Sequence, residues 1–154
     1  MNDAAQKIIR ELNLSPHPEG GFYREVYRSP LTFPLARGSR AVVTAIYFLL
    51  PAGTFSAIHR VRSDEVWTWC GGDSLDLHTL DDAGNHAVAT LGPTRPLAVV
   101  PAGLLQAAVP RGDFALVTAT VAPGFDFADF QMPSRAELVA TFPQHAAWLT
   151  RVTR

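Results

Sequence analysis

The stretch from Gly53 to Gly72 reads GTFSAIHRVRSDEVWTWCGG, and its reading decides the fold. Two β-rich runs, Phe55 to Val61 and Glu65 to Trp69, follow each other closely, and Gly71-Gly72 supplies turn chemistry after the second. A strand sends successive side chains to opposite faces. His59 and Val61 therefore share one side of the first run, and Glu65, Trp67 and Trp69 share one side of the second. An imidazole and a carboxyl group thus fall on neighbouring strands a few residues apart.

Outward from this stretch the pattern repeats. Ala41 to Leu50 is a long β-branched and aromatic run closed by Pro51 and Gly53. Leu75 to Leu80, His86 to Leu91, Leu97 to Val100, Leu104 to Val109 and Phe114 to Val121 follow at short spacing. Asp82-Ala83-Gly84-Asn85 and Arg111-Gly112-Asp113 mark turns between them. Many short strands punctuated by Gly and Pro predict an all-β sandwich or barrel, not alternating βαβ units. The ends differ. Asp3 to Leu12 reads as a short amphipathic helix, with Ala4, Ile8, Ile9 and Leu12 near one face. Pro16 and Pro18 end it, and Gly20-Gly21 permit a sharp change of direction. After Pro133, Ser134 and Glu137 form a capping-box pattern, and Pro143 suits the first position of another short helix. The expectation is one domain over residues 1–154, with a barrel at about 20–122 and terminal helices at about 3–12 and 134–150.

The chain has 154 residues, enough to bury a core without disulfides. It is 47% hydrophobic and 18% charged, with a formal net charge of -1 and a pI near 6.5. That balance excludes a general nucleic-acid binder, which needs a basic surface to displace counterions. No polybasic run suggests an anionic membrane surface, although Arg24, Arg28, Arg37 and Arg40 cluster locally. Met1 to Leu14 has no long apolar run, being interrupted by Asp3 and Glu11. It reads as neither a signal peptide nor a span, so a cytoplasmic location is expected by default. Cys70 is the only cysteine, so no intrachain disulfide forms. It reads as a small buried hydrophobe and not as a catalytic thiol.

The spacing inside the opening stretch resembles the first motif of the cupin superfamily. Gly53 is followed by His59, Val61, Glu65 and Gly72 in the register G-x5-H-x-H-x3-E-x6-G. Pro101-Ala102-Gly103-Leu104-Leu105-Gln106 resembles the core of the second motif, P-x-G-x-x-H, about thirty residues later. The flanks resemble one uncharacterised cupin family in particular. These are Leu14-Ser15-Pro16-His17-Pro18-Glu19-Gly20-Gly21-Phe22-Tyr23-Arg24-Glu25, Tyr27-Arg28-Ser29, His59-Arg60-Val61, Ser63-Asp64-Glu65-Val66-Trp67, Val100-Pro101-Ala102-Gly103 and Gln106-Ala107-Ala108. The resemblance implies a double-stranded β-helix, or jelly-roll barrel, with short terminal helices. It also implies a fold shared with sugar-nucleotide epimerases and related isomerases. The chain departs from the motifs at two ligand positions, where Val61 and Gln106 replace histidines. Thr68 and Leu105 depart from the family's usual His and aromatic.

The motifs imply that His59 and Glu65 point into the barrel, where they pair as acid and base or only fix the barrel by a buried hydrogen bond. Gln106, Trp67, Trp69 and Arg24 are candidate ligand-binding residues: an amide donor and acceptor, two aromatic faces and a guanidinium. Trp67 and Trp69 read first as core and only second as a ligand platform, and ion pairs with Glu25 or Asp64 are the plainer role for Arg24 and Arg28. These arginines are expected on one face of a strand. His17 reads as a rigid-turn residue and Glu19 as its solvated neighbour. His78, His86 and His145 have no ligand-like spacing. No cofactor is expected. A divalent metal, if bound, is weak and held by His59, Glu65 and Gln106, because a catalytic site wants more good donors than these.

Three functions follow. The first is a binding or enzymatic cupin that holds a sugar-like or nucleotide-like small molecule; if it is an enzyme, the expected chemistry is metal-independent epimerisation or isomerisation. The second is a metal-dependent cupin, an isomerase or dioxygenase. The third is a non-catalytic ligand-sensing or assembly module. The expected partner is a small-molecule ligand, with neither nucleic acid nor membrane. A homodimer is expected through the strand Phe22 to Arg28, because an unpaired sheet edge invites a second chain.

Overall fold

The computed structural model describes residues 2–154. The helix α1 (Asp3–Glu11) starts at Asn2, whose side chain accepts from the Ala5 amide. A series of strands follows: β1 (Ser15–Pro16), β2 (Phe22–Arg28), β3 (Thr32–Phe33), β4 (Arg40–Ala41), β5 (Thr44–Pro51), β6 (Ser56–Val61), β7 (Asp64–Gly72), β8 (Leu75–Leu80), β9 (His86–Leu91), β10 (Leu97–Val100), β11 (Leu105–Pro110), β12 (Phe114–Ala122) and β13 (Phe130–Gln131). The chain closes with α2 (Arg135–Thr141) and α3 (Ala146–Leu149).

The strands form two main sheets, ordered β1-β2-β5-β12-β7-β10 and β13-β6-β11-β8-β9. All their pairings are antiparallel, and β3 and β4 form a separate ribbon. This is the double-stranded β-helix, or jelly-roll barrel, that the sequence motifs imply. Between the sheets lies the main core. Phe48, Leu50, Trp67, Val100, Ala115 and Val117 come from one sheet; Leu75, Leu77, Leu91 and Ala108 come from the other. Strand β12 shows why such sequences fold this way. Its buried residues Ala115, Val117, Ala119 and Val121 alternate with more exposed ones, so one face enters the core. The helices cover the outer faces. Ala5 and Leu14 pack on Leu49 of the larger sheet. Leu138, Phe142, Leu149 and Val152 pack on Ile58, Leu80, Leu105 and Ala107 of the smaller one. The expected capping box at Ser134 and Glu137 is present, with both reciprocal bonds made.

Three expectations need correction. The run from Ala41 to Leu50 is not one strand. Arg40–Ala41 pairs with β3, and β5 begins only at Thr44. Strand pairing does not stop at residue 122 either, because β13 adds Phe130 and Gln131 opposite Val61 and Arg60. Cys70 is exposed, not buried. It is the extra residue where the β7 register shifts, between Trp69 opposite Val117 and Gly71 opposite Leu116, and its thiol meets the Thr68 carbonyl at 3.4 Å.

Candidate functional site

One cavity of about 480 Å³ opens between the sheets, within the usual range for small-molecule sites. Its floor is built around His59, which is 2% exposed. His59 Nδ1 lies 2.8 Å from the Ala57 carbonyl oxygen and 3.0 Å from Glu19 Oε2. A carbonyl only accepts, so Nδ1 carries the hydrogen, and in the neutral ring Nε2 holds the lone pair. Burial pushes the His59 pKa down, against the opposing pulls of Glu65 and the Ala57 carbonyl. The ring is therefore a neutral base at pH 7.

Glu65 lines the same cavity. Burial pushes it up to about 7; Glu19 adds to this, while His59 and Gln106 oppose it. Gln106 Nε2 donates to Glu65 Oε2 at 2.6 Å, and Trp67 Nε1 donates to Gln106 Oε1 at 3.0 Å. The indole can only donate, which fixes the amide's orientation. This chain of donors aims the Glu65 carboxyl.

The residues singled out from the sequence thus separate. His59, Val61 and Glu65 line the cavity together. Gln106 reaches it only through Glu65 and is 1% exposed. Trp67 is core, packed on Phe48 with ring centroids 5.8 Å apart. Trp69 packs against that core and donates to the Asp73 carbonyl. Neither tryptophan lines the cavity. Arg24 also lies outside it, with its guanidinium carbon 5.9 Å from the Tyr47 ring centre. A β-bulge between Glu25 and Tyr27 breaks the expected shared face of Arg24 and Arg28. The extra residue shifts the alternation, so Glu25 and Arg28 line the cavity and Arg24 does not. Nor do the arginines form a free basic patch. Arg28 holds Glu25, while Arg37 and Arg40 hold Asp129.

His17 and Glu19 are the residues that sequence reading missed. Both are buried and line the cavity. Glu19 is not solvated. Burial pushes its carboxyl up to about 8, against the opposing Ser56 hydrogen bond and the Arg154 charge. Ser56 Oγ donates to Glu19 Oε1 at 2.9 Å, and the Ala57 amide donates to the Glu19 carbonyl at 2.8 Å. His17 Nδ1 accepts from the Glu19 amide; burial, then His59, push its pKa down to about 4. The turn that delivers them needs Gly20 and Gly21, at φ +116 and +68. A Cβ at Gly20 would collide with the Phe55 carbonyl. The available signal was the Pro16–Gly21 run itself, whose two glycines demand such a turn.

The far wall is aromatic. Phe125, Phe127 and Phe130 line the cavity, with pairwise centroid distances of 5.0, 6.0 and 6.0 Å. Phe130 also lies 5.4 Å from His59. Arg28 ties this segment down through the Phe125 carbonyl, and Asp129 ties it to Arg37 and Arg40.

The cupin ligand positions do not fit a tightly held metal. His59 and Glu65 are good donors, Val61 has no lone pair, and both ends of the Gln106 amide are engaged. Among the described residues no group of three or more His, Cys, Asp or Glu has the arrangement to hold an ion.

A two-sheet antiparallel barrel, with an imidazole and a carboxyl at the two retained motif positions, defines a cupin. The chain belongs to the cupin superfamily family of domain of unknown function 985, whose profile matches residues 6–133. It is similar to a protein of Shewanella oneidensis, with 38% identity over 100% of this chain and 99% of that one, at a TM-score of 0.92. A hypothetical protein from Leishmania major shares 31% identity over 97% and 98% of the two chains, at a TM-score of 0.90. An uncharacterized protein of Saccharomyces cerevisiae is 30% identical over 80% of this chain and 72% of its own length. Oxalate decarboxylase from Bacillus subtilis shares the fold, with 14% identity over 89% of this chain and 36% of its own, at a TM-score of 0.60. No described helix is long and apolar enough to cross a membrane.

Proposed function

We propose that this chain binds a small, sugar-like molecule in its barrel and performs metal-independent proton transfer on it, an epimerisation or isomerisation. The carrying observation is one cavity that presents an imidazole locked through Nδ1 and a carboxyl near neutrality. A base and an acid work best when their pKa values lie near the operating pH, and each contributes roughly 10²- to 10⁴-fold. In this reading His59 Nε2 takes a proton from a C–H beside a carbonyl of the ligand. Glu65, protonated in part at pH 7, donates to the oxygen that gains charge. Return of a proton to carbon, with the oxygen giving its proton back to Glu65 as the carbonyl re-forms, completes the isomerisation with no net change in atoms. Glu19 is a positioning residue that holds the His59 ring, and Gln106 positions Glu65. Phe125, Phe127 and Phe130 keep water from the reacting centre.

Native mass spectrometry of the purified protein should show a retained small molecule. Incubation of that molecule with protein in D₂O should place deuterium at one C–H position. The exchange should fall at least about 100-fold in His59→Ala. Full exchange in that variant would sink the assignment of the base.

We also infer a homodimer. Val26 and Tyr27 on β2, with nearby Leu31, Phe33 and Val42, are exposed. β1 pairs only with Phe22 and Tyr23, so among the described residues no strand lies beside Arg24 to Arg28 on that side. A second copy satisfies both the apolar surface and the free edge.

A further inference from the structure

We propose that the barrel cavity selects an ammonium-bearing ligand with an apolar or ring-shaped body, and rejects ligands that carry phosphate or carboxylate. This rests on the ligand-binding reading above and narrows its substrate class. The charge of the lining sets the selection. Glu19 and Glu65 stand at its buried end, and Glu25 and Asp126 stand toward its opening. Among the described residues, Arg28 is the only arginine or lysine that lines the cavity. Its fork is already closed. Nε and Nη2 donate to the two oxygens of Glu25 at 2.8 and 2.7 Å, and Nη1 and Nη2 both reach the Phe125 carbonyl at 3.2 Å.

An incoming anion would have to break that bidentate pair, which is the strong form of such a contact. It would then face Glu25 and Asp126 as uncompensated like charges. A nucleotide ligand is disfavoured on this ground. An ammonium group meets the opposite situation. It brings three donors and no acceptor, and the carboxyl oxygens around it are acceptors. The second, independent feature is the aromatic wall. Phe125, Phe127, Phe130, Phe48 and Tyr23 give the cavity π faces, and such faces attract cations. They also cover an apolar or ring-shaped body.

Binding then has a proton signature. Glu19 and Glu65 are held partly or wholly protonated by burial. A cation beside Glu19, which donates no proton in the proposed transfer, favours its charged carboxylate, so an ammonium ligand expels a proton as it binds.

The test uses the full chain at pH 7 and four probes with one body: benzylamine, benzyl alcohol, benzoate and benzyl phosphate. Isothermal titration calorimetry should rank benzylamine tightest, with at least about a tenfold margin over benzoate, equivalent to one 1.4 kcal/mol step. Repeating the benzylamine titration in buffers of different ionisation enthalpy should reveal proton release, and Glu19→Gln should reduce it. Glu25→Gln frees the Arg28 fork at a half-exposed position. It should raise benzoate affinity severalfold, with circular dichroism confirming an intact fold. Benzoate or benzyl phosphate binding as tightly as benzylamine overturns the proposal. So does the absence of proton release, or no binding of benzylamine at millimolar concentration. Native mass spectrometry separates this failure from that of the wider reading. A retained anionic ligand refutes only the charge selection, whereas an empty cavity together with no probe binding refutes both.

Discussion

Glu19 and Glu65 carry protons in the native state that an unfolded chain gives up near pH 4.5. A raised folded pKa contributes stability that is complete below the unfolded value and is lost as pH rises through the folded one. For Glu65 that window runs from about 4.5 to 7, and for Glu19 from about 4.5 to 8. His17 acts in the other direction. Its folded value near 4 lies below 6.5, so its contribution is lost as pH falls from 6.5 toward 4. The terms oppose each other below pH 6.5, and only the carboxyl terms remain above it. Denaturant-derived stability should therefore fall between pH 6.5 and 8, by up to about 1.4 kcal/mol per unit for each group. Glu19→Gln should flatten the slope. A stability that is level or rises over that range in the wild type would contradict this account. Gln106→Leu strips Trp67 Nε1 and Glu65 Oε2 of their partners in a dry interior. It should cost about 1–3 kcal/mol in urea unfolding and push the Glu65 pKa up further.

At the level of elements, the turn before β2 and the docking of α3 carry the sharpest consequences. Gly20→Ala forces a side chain into a backbone conformation at φ +116 and against the Phe55 carbonyl. It should destabilise by about 1–3 kcal/mol and weaken ligand binding, because Glu19 rides on that turn. On the opposite side of the barrel, α3 is held by a histidine pair. His78 Nδ1 and His86 Nε2 are 3.0 Å apart, with rings within 6° of parallel. Trp148 stacks on both, at 5.2 and 4.2 Å. His145 meets the His86 ring edge and reaches the Gly84 carbonyl through Nε2. An N–H···N bond requires one ring to keep a lone pair. Burial, then His86, lowers the His78 pKa, with Asp76 opposing and Arg151 assisting; burial, then His145, lowers that of His86. Depressed values mean that the docking energy is present above about pH 6.5 and is lost as pH falls. Amide exchange over residues 146–152, corrected for intrinsic rate, should accelerate from pH 6.5 to 5. It should do so less in His86→Gln. Equal protection at both pH values would rule out the histidine latch.

Across the whole molecule, α1, the two sheets and the C-terminal helices stack as successive layers with apolar clusters between them. The face left uncovered lies along β2 and the β3–β4 ribbon, where Tyr27, Leu31 and Phe33 are more than half exposed. Light scattering at micromolar concentration should return twice the chain mass. Tyr27→Lys should shift it toward one chain, because a charge on an edge strand opposes pairing. A single-chain mass for the wild type would remove the dimer.

The sequence by itself determined the barrel. Strand alternation, Gly and Pro spacing and the capping box at Ser134 are local properties, and local geometry obeys them. The two cupin motifs likewise placed His59 and Glu65 on consecutive strands, which the fold sets in the two opposed sheets, since a fixed spacing on a pleated strand fixes a face. What only the tertiary structure decided was the company those residues keep. Glu19 looked solvated because nothing within its own segment buries it; β6 does so, through Ser56, Ala57 and His59. The bulge after Glu25 turned Arg28 inward and left Arg24 outside, and bulges depend on the partner strand. β13 brought Phe130 over His59 from beyond the expected barrel. His78, His86 and His145 are scattered in sequence and meet only because β8, β9 and the last helix pack together. Charge and burial at a site are sums over residues distant in the chain, so they appear only when the chain has folded.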